Sequence, residues 1–209
     1  MKVIYRGAEA DVYSGEWAGG DAVFKFRKPL EYRLPALDKQ IRAQRTAHEA
    51  EIIGAVKAHG VKSPFVYYVS PEESLIVMQM IQGERLKSLL EDPNVVPFEV
   101  SEEFGEMVGK MHLAGVVHGD LTTSNVIVAE DGIHLIDFGL AQHSQKVEDQ
   151  AVDLRLIKET LVGAHSALAK RVMSAFLKGY SAVVGEKRAK EVTRTLSEIE
   201  RRGRYARVE

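Results

Sequence analysis

Two short motifs in the second half of the chain constrain its fold more than any other feature. The first is HGDLTTSN at residues 118–125, and the second is DFG at residues 137–139. Asp131-Gly132 lies between them, flanked by apolar runs, which is the strongest short signal for a β-hairpin. The two motifs are therefore expected at opposite ends of one hairpin, with their polar side chains on the same side of the fold.

The oxygen-bearing side chains of these motifs suit phosphoryl transfer. That reaction needs a carboxylate beside the acceptor hydroxyl or water, and oxygen ligands for the metal ions on the β- and γ-phosphates. Asp120 is the expected carboxylate, and Asn125 and Asp137 are the expected Mg²⁺ ligands because Mg²⁺ prefers oxygen donors. Either motif alone could be an ordinary turn, since Asp and Gly favour turns. Both in order, with Asn five residues after Asp, indicate the catalytic pair of a kinase.

A strand lysine is the next expected part of such a site. AVFKF at residues 22–26 matches the kinase strand whose lysine holds the α- and β-phosphates, which makes Lys25 the candidate. Lys28 is the nearest competitor, but it precedes a proline and is expected beyond the end of the strand.

A helix glutamate should accompany that lysine. Glu49 shares an apolar helical stripe with Ile52 and Ile53 and is expected to face inward, whereas Glu51 projects away. The alternative role for Glu49 is a capping box with Thr46 at the start of a helix. The catalytic set predicted from sequence is thus Asp120, Lys25 and Glu49.

The nucleotide-binding residues are predicted from a loop, two strands and a connector. The loop keeps only one glycine of the GxGxxG pattern, which indicates a shorter and stiffer loop. Valines from the strands would cover a purine base, and backbone groups of the connector would contact its edge. The connector follows an apolar strand end, which is equally typical of residues that simply belong to the hydrophobic core. The predicted residues are Gly7, Ala8, Glu9, Ala10, Val12, Val23, Lys25, Met78, Gln79 and Ile81.

The hydrophobic pattern changes midway along the chain. Short β-branched and aromatic runs up to residue 81 predict strands, interrupted by one helix over residues 43–59, with residues 25–45 partly looping out. Later apolar spacings predict helices, one with Ser101 as its N-cap and Gly115 at its end, and another opened by Asp153. Asp153 would either accept hydrogen bonds from backbone amides of the catalytic loop and so brace it, or serve as an ordinary negative residue in the first turn of the helix.

This organisation predicts an α+β, two-lobed protein-kinase-like fold formed by a single domain over residues 1–209. The predicted parts are a small β-rich N-lobe over residues 1–81, a reduced and mainly helical C-lobe over residues 82–200, and a basic C-terminal tail over residues 201–209.

Composition excludes several classes of protein. The chain has no cysteine, which excludes disulfide scaffolds, thiolate catalysis and cysteine-based zinc sites. Its 28 Lys and Arg against 30 Asp and Glu leave no bulk positive field for nucleic acid. Any RNA contact must be local, for example at residues 201–209, which could equally be a solvated terminus. No apolar run long enough to span a membrane and no signal peptide are visible, so a cytoplasmic protein without membrane contact is expected.

The motifs resemble those of the p53-related protein kinase family, the atypical kinase subunit of the KEOPS tRNA-modifying complex of archaea and eukaryotes. The likeness covers nearly the whole chain and rests on GAEA, HGDLTTSN, LIDFGL, VDL at residues 152–154 and RRGR at residues 201–204. It implies a two-lobed kinase fold, ATP and Mg²⁺. It also implies a threonylcarbamoyl transferase and a small regulatory subunit as partners, with tRNA contacted through the complex and the basic tail.

Departures from ordinary protein kinases refine this expectation. Gly119 stands where an arginine usually binds an activation-segment phosphate, Thr122 stands where a catalytic-loop lysine is usual, and no APE motif follows. These losses favour ATP hydrolysis or nucleotide-driven support of a partner, which the resemblance implies is the transferase that modifies the adenosine beside the tRNA anticodon. Two alternatives remain: a small-molecule phosphotransferase of the aminoglycoside or choline type, and a nucleotide-binding pseudokinase scaffold.

Overall fold

A five-stranded antiparallel sheet and one long helix form the first part of the computed structural model, which describes residues 1–91 and 98–205, the side chains of residues 98 and 203–205 excepted. The strand order is β1-β2-β3-β5-β4. The elements are β1 Lys2–Arg6, β2 Ala10–Trp17, β3 Gly20–Arg27, α1 Pro35–Ala58, β4 Val66–Ser70 and β5 Leu75–Gln79.

The central strand β3 separates two environments because successive side chains of a strand point to opposite faces. Phe24 on the outer face packs in a small apolar cluster with Leu75 and Val77 of β5. Lys25 and Arg27 lie on the other face, toward α1, and both are buried. The alternation of β3 therefore delivers two cations to the inner side of the sheet.

Helix α1 begins at Pro35, eight residues before the predicted start, so most of the segment expected to loop out is helical. Its first turns lack an apolar stripe, with Leu37 49% exposed, and the remaining signal is a proline at the first helical position. Thr46 is not a cap: it lies within the helix, and its hydroxyl donates to the carbonyl oxygen of Arg42 at 2.7 Å. The capping-box role of Glu49 is thereby wrong.

The second part of the chain is mainly helical and holds most of the apolar core. A predicted hairpin is present as β8 and β9, which pair around Gly132. The elements are β6 Glu84–Arg85, α2 Leu86–Leu89, α3 Phe98–Leu113, β7 Val116–Val117, a 3-10 turn Thr123–Asn125, β8 Val126–Ala129, β9 Gly132–Leu135, β10 Gln142–His143, α4 Val147–Ala164, α5 Ser166–Val184 and α6 Glu186–Tyr205. Strand β6 extends the hairpin, and β10 pairs with β7.

Helices α3 and α5 cross at very short range. A Cβ atom on Gly105 would lie 1.9 Å from the carbonyl oxygen of Phe176, and one on Gly179 would lie 1.9 Å from that of Glu102. Phe104 packs against Phe176 with ring centroids 5.0 Å apart beside this crossing. The two glycines thus allow the backbones to touch, and the aromatic rings fill the space next to the contact.

Two predicted helix starts in this part are wrong. Ser101 is fully buried inside α3 and does not cap it, because the helix begins at Phe98. Asp153 does not open a helix, since α4 begins at Val147 and its first-turn carboxylates are Glu148 and Asp149.

Residues 201–205 continue α6 and do not form a separate tail, while residues 206–209, including Arg207, lie outside the described residues. Gly115 ends α3 as predicted, with φ of 74°. Within residues 1–91 and 98–205, no helix combines the length and apolar character needed to cross a membrane.

Candidate active site

Asp153 holds the catalytic loop by two charge-assisted hydrogen bonds. The amide of His118 donates to its Oδ2 at 2.6 Å, and the amide of Gly119 donates to its Oδ1 at 2.9 Å. His112 donates from Nε2 to the same carboxylate at 3.3 Å, and its Nδ1 accepts the hydroxyl of Tyr180 at 2.9 Å. The bracing role of Asp153, one of two alternatives left open by the sequence, is therefore the one that the structure shows.

Gly119 has a steric reason to replace the usual arginine. Its φ is 77°, a conformation that side-chain-bearing residues rarely adopt. A Cβ atom there would lie 2.5 Å from the carbonyl oxygen of Leu140, which follows the DFG motif. The catalytic loop and the segment after DFG touch at this point, so no side chain fits between them.

Asp120 and Asn125 form one hydrogen-bonded unit. The Asn125 amide nitrogen donates to the backbone oxygen of Asp120 at 2.9 Å and to its Oδ2 at 3.1 Å. Both residues belong to the loop that ends in the 3-10 turn before β8. Because the amide nitrogen faces Asp120, the Oδ1 atom of Asn125 is left to act as a ligand.

Asp137 follows β9 in a left-handed conformation, with φ of 62°, which Asp tolerates better than most residues. Its Oδ1 lies 2.6 Å from the Nζ atom of Lys25, and its side chain is 51% exposed. Partial burial raises the pKa of Asp137, but the charge and hydrogen bond of Lys25, together with the charge of His118 and the amide of Gly139, lower it by more, so the net pKa is below its ordinary value. Asp137 is thus ionised and directed toward the opposite lobe.

Lys25 contacts two carboxylates at once. Its Nζ atom lies 2.6 Å from Glu49 Oε1 as well as 2.6 Å from Asp137 Oδ1. Burial lowers the pKa of Lys25, but the negative charges of Glu49 and Asp137 raise it by more, so the net pKa exceeds its ordinary value. Lys25 is therefore a charged group at all pH values of interest. Glu51, the rejected helix partner, is exposed.

Arg27 is a member of this cluster that the sequence analysis missed. Its Nη2 atom contacts Glu49 Oε2, so the carboxylate of Glu49 lies between two cations. The alternation of β3 carried the signal, because Arg27 lies two residues after Lys25 and hence on the same face.

One cavity of about 640 Å³ between the two parts of the chain brings the predicted catalytic and metal-binding residues together. Its lining contains Lys25, Glu49, Asp120, Asn125 and Asp137, together with the predicted Val12, Val23, Met78, Gln79 and Ile81. It also contains Tyr5, Arg85 and Lys87, which the sequence analysis did not single out.

The predicted phosphate loop, Gly7 to Ala10, is not among the lining residues. Instead, Lys28 Nζ donates to the carbonyl oxygen of Gly7 at 2.6 Å, and Glu9 pairs with Arg45 of α1. These contacts hold the loop against the segment between β3 and α1. Lys28 lies beyond the end of β3, as predicted.

The donor set suits Mg²⁺ held jointly with phosphates. In the part of the chain that the structure describes, no group of three or more His, Cys, Asp or Glu side chains is arranged to bind a metal ion by itself. The cavity offers the carboxylate of Asp137 and the amide oxygen of Asn125. Two protein oxygens completed by phosphate oxygens and water are the usual arrangement for nucleotide-bound Mg²⁺.

Comparison with known proteins agrees with this geometry. The RIO domain family matches residues 27–157. A protein named KEOPS complex subunit Bud32 from Pyrococcus abyssi is 42% identical, over 98% of this chain and 96% of its own length. A probable bifunctional tRNA threonylcarbamoyladenosine biosynthesis protein from Methanothermobacter thermautotrophicus is 36% identical over 97% of this chain, which spans 36% of that relative.

A solved structure shows the same fold at low sequence identity. The Rio2 kinase from Chaetomium thermophilum, in a complex described as ADP/Mg²⁺-phosphoaspartate, matches with a TM-score of 0.64 and 14% identity, over 99% of this chain and 72% of its own. The predicted α+β, two-lobed kinase-like fold is confirmed. The chain therefore belongs to the RIO domain family of atypical kinases and, within that family, to the Bud32 group.

Proposed function

We propose that the chain is an ATP- and Mg²⁺-dependent serine/threonine kinase and ATPase that serves as the kinase subunit of a KEOPS-type complex. In this role it supports the threonylcarbamoylation, by a partner transferase, of the adenosine beside the tRNA anticodon. The observation that carries the proposal is the position of Lys25, 2.6 Å from both Glu49 and Asp137 and in one cavity with Asp120 and Asn125. A RIO-family fold in general implies ATP and Mg²⁺.

Each lining residue has a role in this proposal. Lys25 binds the α- and β-phosphates, and Asn125 and Asp137 hold Mg²⁺, which when bound neutralises charge on the transferred phosphoryl group. Asp120 accepts a proton from the acceptor hydroxyl or orients a water molecule. Val12 and Val23 cover the base, and the connector at Met78, Gln79 and Ile81 contacts its edge.

Hydrolysis coupled to a partner is the favoured output. Gly119 cannot carry the arginine that would bind an activation-segment phosphate, because the carbonyl of Leu140 occupies that space. Thr122 provides no positive charge beside Asp120. The relatives' names add support: one is called a KEOPS complex subunit, and another is a bifunctional biosynthesis protein in which a region like this chain makes up 36% of the length. A transferase partner accords with both names.

The test is Mg²⁺-dependent ATP turnover, with and without a threonylcarbamoyl transferase subunit, together with co-elution of the two proteins. We expect co-elution and a turnover that depends on the partner. Asp137→Ala and Lys25→Ala should nearly abolish turnover, while Asp21→Ala, the same kind of change at an exposed position near the start of β3, should not.

Three results would contradict the proposal. Equal support of tRNA modification by Asp137→Ala and the unaltered chain would indicate a scaffold without chemistry. Rapid phosphorylation of one class of small molecule would indicate the small-molecule phosphotransferase. Strong phosphorylation of generic peptides by the isolated chain, with no effect of the partner, would indicate an independent protein kinase.

We further propose that the basic end of the chain contacts tRNA or the transferase. Arg201 and Arg202 lie exposed on α6, and Arg202 is 3.2 Å from Glu148. Truncation after Tyr205 keeps α6 whole and removes Arg207. It should weaken tRNA modification by the assembled complex and leave nucleotide binding intact. Unchanged modification, measured beside an Arg201→Glu variant that is also unchanged, would overturn this assignment.

A further inference from the structure

Four charged groups from three segments of the chain form a row of ion pairs beside the cavity. The cluster consists of Lys25 and Arg27 on β3, Glu49 on α1, and Asp137 after β9. Glu49 is only 1% exposed, and each of its two oxygens faces a different cation. The formal charges of the four groups sum to zero.

The two cations that contact Glu49 differ in what else they touch. Lys25 is shared, because its single ammonium group also binds Asp137 at 2.6 Å. Arg27 has Glu49 as its only carboxylate partner among the described residues. A guanidinium also stays charged under all conditions and holds its geometry better than an ammonium.

This difference matters once a nucleotide enters the cavity. On the proposed function, Asp137 turns to Mg²⁺ and Lys25 binds phosphates while it keeps Glu49, so the charge of Lys25 is shared between Glu49 and the phosphates. A buried carboxylate that is poorly compensated by cations is destabilised. If Lys25 were the sole partner of Glu49, then the tie of α1 to the sheet would rest on a shared cation in the very state that performs the reaction.

We propose that Arg27 is the permanent anchor of Glu49, and thereby of α1, while Lys25 is an exchangeable cation that passes between Asp137 and nucleotide phosphates. Arg27 is thus a positioning residue, acting through Glu49. The inference rests on the proposed nucleotide-dependent function. Because Arg27 neutralises Glu49, Lys25 keeps a full positive charge for the phosphates, which offsets the lysine missing at Thr122.

The surroundings of Arg27 support a requirement for its charge. Its Nε atom is buried and has no hydrogen-bond partner within the described part of the chain, a cost that an apolar residue would avoid. A Cβ atom added to Gly139 would lie 3.3 Å from the Nη2 atom of Arg27. It would lie equally far from Lys25 Nζ and from Asp137 Oδ1. Arg27 therefore borders the turn that carries Asp137 as well as Glu49 of α1.

Hydrogen exchange of the nucleotide-free, full-length chain tests the anchor directly, and binding of Mg²⁺-ATP to the same variants tests the exchangeable cation. We expect Arg27→Met to increase the exchange of α1 amides around Glu49 by about tenfold or more. Lys25→Met should leave that exchange within about threefold of the unaltered chain, yet weaken Mg²⁺-ATP binding by about tenfold or more. Arg155→Met, which removes an exposed ion pair on α4, is the matched control and should change neither quantity.

Equal exchange of α1 in Arg27→Met and the unaltered chain would overturn the proposal, as would exchange in Lys25→Met as fast as in Arg27→Met. Arg27→Lys covers the case in which Arg27→Met does not fold. This variant keeps the charge and should protect α1 to within about threefold, whereas loss of protection in a folded Arg27→Lys would overturn the proposal as well. Failure of the unaltered chain to bind Mg²⁺-ATP would refute the proposed function separately, because the exchange measurement contains no nucleotide.

Discussion

The Nζ atom of Lys25 lies 2.6 Å from Oδ1 of Asp137, so an ion pair joins the sheet of the first part to the residues that follow the hairpin of the second. The two residues are 112 positions apart in sequence. A contact of this kind makes the ionisation of one residue depend on the presence of the other.

Lys25→Met should raise the pKa of Asp137. Partial burial raises this pKa, and the charge and hydrogen bond of Lys25 are the largest of the effects that bring it below the ordinary value of 3.8, followed by the charge of His118 and the amide of Gly139. A depressed pKa adds stability above pH 3.8 and loses it as the pH falls through the folded-state value. Carboxyl ¹³C NMR titration should give a higher pKa for Asp137 in the variant than in the unaltered chain, and the stability of the variant should fall less steeply as the pH is lowered through the acid range. An unshifted Asp137 would show that the ion pair is absent in solution.

Asp153→Asn should destabilise the chain by about 2–4 kcal/mol, because the amides of His118 and Gly119 lose a buried, charged acceptor. Urea unfolding measures the change, and turnover should fall with it as the loop loosens. Asp149→Asn, the same substitution on the same helix, removes only a contact with the hydroxyl of Ser144 and should cost about 1 kcal/mol or less. Similar losses in the two variants would argue against the brace.

Gly179→Ala should lower the free energy of unfolding by about 3 kcal/mol, because its methyl group would lie 1.9 Å from the carbonyl oxygen of Glu102. Gly54→Ala is the matched control within a helix. Nothing lies within 4 Å of its Cβ position, so the variant should gain about 0.5–1 kcal/mol from helix propensity. Thermal unfolding of the two variants should therefore shift in opposite directions, and a shift in the same direction would refute the packing described for α3 and α5.

Tyr180 should stay protonated in alkali until the chain unfolds. Burial raises its pKa well above the ordinary value of 10.0, an effect that the charge of Arg188 only partly offsets. A raised pKa gives stability that is full below pH 10.0 and is lost as the pH rises toward the folded-state value. Titration by phenolate absorbance should show a delayed phase that coincides with unfolding. Tyr180→Phe should lack that phase and lose about 1–3 kcal/mol, since His112 Nδ1 loses its donor.

Local patterns were sufficient for part of this site. Alternation along β3 places Lys25 inward, and helical spacing separates Glu49 from Glu51, so the orientation of both side chains follows from the sequence. The Asp131-Gly132 turn fixes the hairpin, and the hairpin brings Asn125 and Asp137 to one end.

Contacts of charged side chains with residues far away in the sequence could not be predicted from such local patterns. Nothing in the local sequence indicates that Lys28 binds the carbonyl of Gly7 and that Arg45 pairs with Glu9, because the partners lie 21 and 36 residues apart. The local sequence also does not show that residue 119 must be glycine, since this requirement arises from the carbonyl of Leu140 on another segment. The first turns of α1 were missed because exposed helical turns carry no apolar stripe.

The pairing of β10 with β7 has a consequence for control of the molecule. His143 and Gln142 pair with Val116 and Val117, so the backbone just past the DFG turn is fastened to the strand before the catalytic loop. Kinases that respond to upstream signalling use this stretch as an arm that reorders on phosphorylation. Here that segment is already paired with β7, so its arrangement in this structure does not depend on phosphorylation.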